Sequence, residues 1–143
     1  MRQFLFDDKN IQWRQLDGIE HLWFRVLDVD AVSRAVQILF KFAAGQTIVL
    51  HRHKSVNKTF VIQGEHKIYH ADGRLKETRP TGSYTVSPPS DDPHREGGGD
   101  GQDAVVIFTV YDNDGVAYEI LDDALTIVAT LGYQEFAALR DAP

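Results

Sequence analysis

The sequence predicts an all-β domain of the sandwich or barrel type, followed by one short helix at the C-terminus. Short segments with apolar residues at alternate positions occupy most of the chain, beginning with HLWFRVLDVD and SRAVQILFKFAAG. Turn residues separate these segments at short intervals, as in QGE at 63–65 and ADGR at 71–74. Helical spacing is confined to the C-terminal tail. Short strands with frequent turns and little intervening helix are typical of antiparallel sandwiches and barrels.

The predicted strands can be placed in order along the chain. After the first two segments, whose alternating apolar residues predict one buried face, the candidate strands are QTIVLHRH, KTFVIQG, HKIYH, GSYTVS, AVVIFTVY and VAYEIL. Each is rich in β-branched or aromatic residues, which favour strands. Residues 87–103, SPPSDDPHREGGGDGQD, are predicted to form a surface loop. In the tail, Tyr133, Phe136 and Leu139 have helical spacing after the helix breaker Gly132.

Length and charge restrict the domain organisation and the partners. The 143 residues fit a single domain spanning 1–143, large enough for one sizeable core. The formal net charge of −6 argues against nucleic acid or an anionic membrane surface as a partner, because phosphate contacts require clustered basic residues. We expect neither a signal peptide nor a membrane span, since apolar runs of the required lengths are absent from the sequence.

The sequence contains no cysteine. This excludes disulfide scaffolds, thiolate zinc sites, iron–sulfur clusters and cysteine nucleophiles. It fits a cytoplasmic location, which we take as the expectation.

Three histidines are the strongest chemical signal. His51 and His53 are two residues apart in a predicted strand, so their side chains point to the same face. His94 follows in the Pro/Gly-rich loop, from which it could reach the same point. Three neutral imidazoles converging on one point form a good site for a divalent first-row metal ion. The alternative is that these are ordinary strand and loop histidines.

Two motifs around these histidines resemble those of a known family. GQTIVLHRHKSVNKTFVIQG resembles the first conserved motif of the cupin superfamily, and GSYTVSPPSDDPH resembles the second. The resemblance covers roughly residues 35–121 and implies a double-stranded β-helix, or jelly-roll, barrel. In the common cupin pattern a glutamate follows the His–X–His pair by three or four residues and supplies a fourth ligand. Asn57 and Lys58 occupy those positions here.

The missing glutamate makes the sequence similar to the three-histidine cupins, which include the acetylacetone-cleaving dioxygenase. This resemblance implies a metal site of His51, His53 and His94 that holds one divalent ion, Fe(II) by preference, with Zn or Ni as alternatives. It also implies cleavage of a carbon–carbon bond, with O2, in a small enolisable ketone or β-diketone. Three neutral ligands leave a charge of about +2 on the ion, which favours a chelating enolate.

Other residues are candidates for the pocket or for the surroundings of the metal, with no catalytic residue predicted beyond the metal centre. For each, a core, surface or solvated position is the alternative. Arg95 and its neighbour Glu96 are expected either to orient a metal ligand or to form a solvated loop pair. The predicted pocket residues are Asn57, Gln63, His66, His70, Tyr84, Arg95 and Phe108.

Two further functions stay open at this stage, together with the assembly state. The chain could be a non-enzymatic metal-containing cupin that binds a small ligand or acts in regulation. It could also be a Zn- or Ni-dependent isomerase or hydrolase. A homodimer is expected from the resemblance and from the apolar N-terminal strands, which could cover an open sheet edge.

Overall fold

The structure is a computed structural model that describes residues 6–111 and 115–141. A short 3-10 turn at Asp8–Asn10 precedes the first strand. In chain order the elements are β1 (Leu22–Val29), β2 (Ala35–Phe42), β3 (His51–His53), β4 (Asn57–Gln63), β5 (His66–His70), β6 (Leu75–Arg79), β7 (Tyr84–Ser87), β8 (His94–Gly97), β9 (Ala104–Tyr111), β10 (Tyr118–Leu121), β11 (Ile127–Leu131) and α1 (Tyr133–Asp141).

The described strands form two antiparallel sheets. One sheet has the strand order β1-β2-β9-β4-β7, and the other has the order β11-β10-β3-β8-β5-β6. Strands that are neighbours in space are often distant in sequence, as in the β2–β9 and β3–β10 pairs. The two sheets enclose one buried interior. This arrangement confirms the predicted all-β jelly-roll with a short C-terminal helix.

The hydrophobic core lies mainly on the inner face of the first sheet. The rings of Phe40 on β2 and Phe108 on β9 meet edge to face, with centroids 5.0 Å apart. Helix α1 closes one side of the core, where the buried ring of Phe136 meets that of Tyr118 at 6.0 Å. The alternating apolar residues of β1, β2 and β9 therefore point inward, as their spacing predicts.

Two sequence-based expectations are wrong. The predicted surface loop at 87–103 contains β8, which lies between β3 and β5. Gly97 ends this strand at a point where a Cβ atom would overlap the carbonyl oxygen of Gln46, so the close backbone approach requires glycine. Tyr84 is a predicted pocket residue but is 60% exposed, because β7 pairs it with the exposed Phe60 on the outer face of the sheet, whereas Ser87, opposite the buried Asn57, faces inward.

Within residues 6–111 and 115–141, no helix is both long enough and apolar enough to cross a membrane.

Candidate metal centre

Two adjacent strands of the second sheet bring four potential metal ligands together. His51 and His53 alternate with Arg52 on β3, while His94 and Glu96 alternate with Arg95 on β8. The two strands are antiparallel neighbours, with His51 opposite His94. Alternation places both histidines of β3 and both ligands of β8 on the inner face. One ligand atom from each of the four residues lies within 4.8 Å of all the others.

Glu96 lies at the middle of this group. Its Oε2 atom is 2.6 Å from Nε2 of His51 and 3.5 Å from Nε2 of both His53 and His94. The Nε2 atoms of His53 and His94 are 3.2 Å apart. Three imidazole nitrogens and one carboxylate oxygen therefore face one small volume, and these are donor types that divalent first-row metals prefer.

The hydrogen bond of Nδ1 shows that the Nε2 atom of His51 is the one that faces the ligand group. Its Nδ1 lies 2.8 Å from the carbonyl oxygen of Val49, which can only accept a hydrogen bond, so Nδ1–H is the donor. A neutral His51 then has a bare Nε2 atom directed at the carboxylate of Glu96. Two lone pairs 2.6 Å apart repel unless a cation, either a proton or a metal ion, lies at this point. The residues therefore fit a divalent ion.

His53 is held in a similar way by a different group. The Nδ2 atom of Asn57 on β4 lies 2.6 Å from Nδ1 of His53, and a half-turn of the side-chain amide exchanges Nδ2 for the oxygen Oδ1. With the amide oxygen turned toward the ring, Nδ1–H donates to it and Nε2 is left free to bind a metal ion. Asn57 occupies the position at which the common cupin pattern has its glutamate, and here it orients a histidine.

Burial and mutual charge set the protonation of the group. Burial lowers the pKa of His53 to about 4, although the carboxylate of Glu96 opposes this shift. Burial likewise lowers the pKa of His94. Burial alone would raise the pKa of Glu96, but its contacts with the four surrounding imidazoles hold that pKa well below its usual value. Near pH 7 the group thus contains an ionised carboxylate and two neutral imidazoles, the forms that bind metal ions.

Two cavities adjoin the group and differ in size and polarity. The larger, of about 250 Å³, has His53, His94 and Glu96 in its wall. Most of the other residues that line it are polar or charged: Asn57, Thr59, Ile68, Lys76, Glu77, Arg79, Ser87, Pro88, Ser90, Asp92 and Phe108. The smaller, of about 40 Å³, adjoins His51 and Glu96 and is otherwise lined by apolar side chains and Tyr118. Only the larger cavity has room for a substrate of several heavy atoms.

Arg79 is the most enclosed cation of the larger cavity. Its Nη1 donates to Thr59 Oγ1 at 3.2 Å, and its Nε and Nη2 donate to the carboxylate of Glu77 at 3.1 and 3.2 Å. The cavity wall therefore carries an ion pair, and its polarity differs from the mostly apolar pocket that suits a simple ketone.

Some of the predicted pocket residues lie at this site. Phe108 is buried and lines both cavities, and Asn57 holds His53. His66 is fully buried, and its Nε2 lies 2.7 Å from Oε1 of Glu96. His70 lies on the same strand as His66, opposite His94 in the β5–β8 register, but it is only half-buried and is not among the residues that line the two cavities.

The structure places the other predicted pocket residues elsewhere. Gln63 donates to the backbone carbonyl of Asp103 at 3.2 Å, at the end of β4. Arg95 points to the outer face of β8 and pairs with Asp123 at 2.7 Å. Tyr84 is exposed on β7. None of the three is among the residues that line the two cavities.

Glu96 is the residue that the sequence reasoning placed incorrectly. A solvated loop pair was one expectation for it, but its side chain is 4% exposed and both of its carboxylate oxygens contact histidines. The spacing of His94 and Glu96 is the same as that of His51 and His53, and this was the available signal. It was missed because the surrounding Pro, Gly and Asp residues indicated a loop.

Comparisons with known proteins agree with the fold. The profile of the ChrR cupin-like domain family matches residues 1–111. No curated protein sequence matches the chain. The crystal structure of an acetylacetone dioxygenase from Acinetobacter johnsonii is similar, with a TM-score of 0.70 at 16% identity over 96% of this chain and 89% of that chain.

Two other similar structures have different functions. The polyketide cyclase RemF from Streptomyces resistomycificus matches with a TM-score of 0.60 at 16% identity, over 92% of this chain and 85% of that chain. The anti-sigma protein ChrR of Rhodobacter sphaeroides, solved in complex with SigE, matches with a TM-score of 0.58 at 18% identity, over 73% of this chain and 50% of that chain. At these identities the structures share the fold, whereas the profile match covers most of the chain and shows the family. The chain belongs to the ChrR cupin-like domain family of the cupin superfamily.

Proposed function

We propose that the protein is a non-haem Fe(II) dioxygenase that cleaves a carbon–carbon bond in a small enolisable ketone or β-diketone. The observation that carries this proposal is the ligand group beside a cavity: His51, His53, His94 and Glu96 adjoin a space of about 250 Å³. A six-coordinate ion held by four side chains would have two remaining positions, enough for a chelating substrate or for one substrate oxygen and O2.

The carboxylate changes the charge that the sequence alone suggested. With three neutral imidazoles and one ionised carboxylate, a divalent ion would retain a charge of about +1 instead of about +2. The bound ion would supply Lewis acidity that stabilises an enolate oxygen. One negative charge on the substrate, as in a monoanionic enolate, would then neutralise the centre.

The surrounding residues would orient the substrate and limit access of water. Phe108 lies against the imidazole of His53, with ring centroids 6.3 Å apart, and forms an apolar wall beside the ligands. Thr59 and Arg79 present hydroxyl and guanidinium groups on the cavity wall. The substrate that fits this wall carries polar oxygens in addition to its enolisable ketone.

Metal analysis followed by oxygen consumption tests the proposal. The protein is purified without added metal, its metal content is measured, and the Fe(II)-loaded form is mixed with a panel of neutral and hydroxylated diketones. We expect near-stoichiometric iron and substrate-dependent O2 uptake, with loss of uptake in His94→Ala. Stoichiometric zinc with no uptake by the iron-loaded protein would contradict the dioxygenase.

A second candidate function is favoured by the family itself. The matched family takes its description from ChrR, and the similar ChrR structure is a complex of an anti-sigma protein with SigE. We therefore keep a metal-containing sensor or regulatory cupin as the alternative, in which the same four side chains hold zinc and the cavity binds a small ligand. Ligand-dependent changes in thermal unfolding of the zinc form, without turnover, would support it.

A further inference from the structure

We propose that His66 is a positioning residue that holds the Glu96 carboxylate so that a single oxygen, Oε2, faces the metal site. This inference rests on the metal site proposed above. His66 lies on β5, outside the group of four ligands, and contacts the far oxygen of the carboxylate. Its role is thus separate from that of His51, His53 and His94.

The two oxygens of Glu96 have different partners. Oε2 faces the three ligand histidines, whereas Oε1 lies 2.7 Å from Nε2 of His66. An ionised carboxylate can only accept, so Nε2–H of His66 is the donor. The carboxylate therefore cannot rotate about its last bond without breaking the His66 hydrogen bond.

The surroundings of His66 fix its ring. The side chain is fully buried, and its ring stacks on Phe42 with centroids 4.8 Å apart and planes 26° apart. Phe108 meets the same ring at 6.0 Å in an edge-on contact. Nδ1 has no hydrogen-bond partner among the described residues. Because aromatic neighbours hold this buried imidazole in place, its single hydrogen bond has a fixed direction toward Oε1 of Glu96.

The His66 hydrogen bond determines how many coordination positions of the ion Glu96 occupies. While His66 occupies Oε1, Glu96 offers one oxygen to the ion. Without this hydrogen bond, Oε1 becomes a buried oxygen with no donor, and it can turn toward the ion as a second ligand atom. A bidentate carboxylate would occupy a position that is otherwise open to substrate. His66 therefore keeps one position free and holds the ligand in place.

A matched pair of substitutions tests this role. The side chains of Gln and Met have similar length and volume. Either substitution at His66 removes the ring that stacks on Phe42, but only the Gln amide can donate a hydrogen bond to Oε1 of Glu96. Cobalt affinity and the visible absorption of the Co(II)-loaded protein are measured for wild type, His66→Gln and His66→Met. His70→Gln, on the same strand, is the control for the loss of a histidine.

We expect His66→Met to lower cobalt affinity by about 10- to 100-fold, as for other groups that orient metal ligands, and to change the Co(II) absorption bands. His66→Gln should restore most of the affinity and the wild-type spectrum, and His70→Gln should resemble wild type. Equal affinity and equal spectra in the Met and Gln variants would overturn the inference. If wild type itself binds no cobalt, the proposed metal site fails, which is a different result.

Discussion

Both halves of the barrel interior contain fully buried side chains, but these side chains are of opposite kinds. In the half formed by β2 and β9, Ile38 and Val106 are fully buried among other aliphatic and aromatic residues. In the half formed by β3, β5 and β8, His66 is equally buried and Glu96 is 3% exposed. Burial alone therefore does not distinguish the core from the functional site, whereas the chemistry of the buried atoms does.

The two halves differ in what they contribute to folding. Each large aliphatic or aromatic side chain of the apolar half stabilises the fold by about 1.5–3 kcal/mol through removal from water. Burying an ionised carboxylate is costly, and the imidazoles around Glu96 offset that cost without a comparable net gain. The apolar half thus supplies most of the stability, and the polar half contributes little to it.

The largest expected effect is the loss of metal retention when a ligand is removed. His51→Ala, His53→Ala and His94→Ala should each abolish tight binding, because each deletes one donor from the group. Metal content after dialysis, measured by atomic emission, checks this. His70→Ala is the control and should retain the ion. Full metal content in His94→Ala would show that a different side chain is the third nitrogen ligand.

A substitution in the apolar half should lower the stability of the fold and leave metal binding unchanged. Ile38→Ala should lower the free energy of unfolding by about 2–5 kcal/mol, because it removes three buried carbon atoms and leaves a cavity. The metal content per folded chain should not change. Chemical denaturation with and without metal measures both quantities. An Ile38→Ala protein of wild-type stability, or one that has lost its metal, would remove the distinction between the halves.

A smaller effect is expected from pH in the metal-free protein. In the unfolded chain, His53 takes up a proton near pH 6.5. In the folded protein burial lowers its pKa to about 4, so His53 takes up the proton only near pH 4. The unfolded state thus binds more protons between these values, so stability falls as the pH decreases from about 6.5 to 4. The contribution of His53 reaches about 3 kcal/mol.

Denaturation of EDTA-treated protein at a series of pH values gives this dependence. His53→Gln replaces the imidazole with a group that does not titrate, so its stability should fall less steeply over the same range. Equal slopes for the wild type and this variant would contradict the buried, neutral state of His53 in the apo-protein.

The sequence allowed the fold and three of the four converging side chains to be predicted, for reasons that are local. Alternation along β3 places His51 and His53 on one face whatever the rest of the chain does. The position of Glu96 depends on β8, a four-residue strand whose residues have weak strand propensity. That strand forms because β3 and β5 flank it, which is tertiary information.

The same limit explains the errors in the predicted pocket. Gln63 lies an even number of positions after Asn57, which predicts that both face the pocket, but the β4–β9 register shifts between Val61 and Gln63. Tyr84 lies on the outer face of β7, opposite the exposed Phe60, and only the β4–β7 register shows which face of that strand is outside. His66 and His70 look equivalent in sequence, and only the depth of each along β5 separates them.

A crystal of the protein grown or soaked with Co(II), with diffraction recorded at the cobalt absorption edge, would locate the ion. We expect one strong anomalous peak among Nε2 of His51, His53 and His94 and Oε2 of Glu96, with these four atoms at bonding distance. A peak bound by other side chains, or an ion that the three histidines hold while Glu96 stays apart from it, would contradict the four-ligand site.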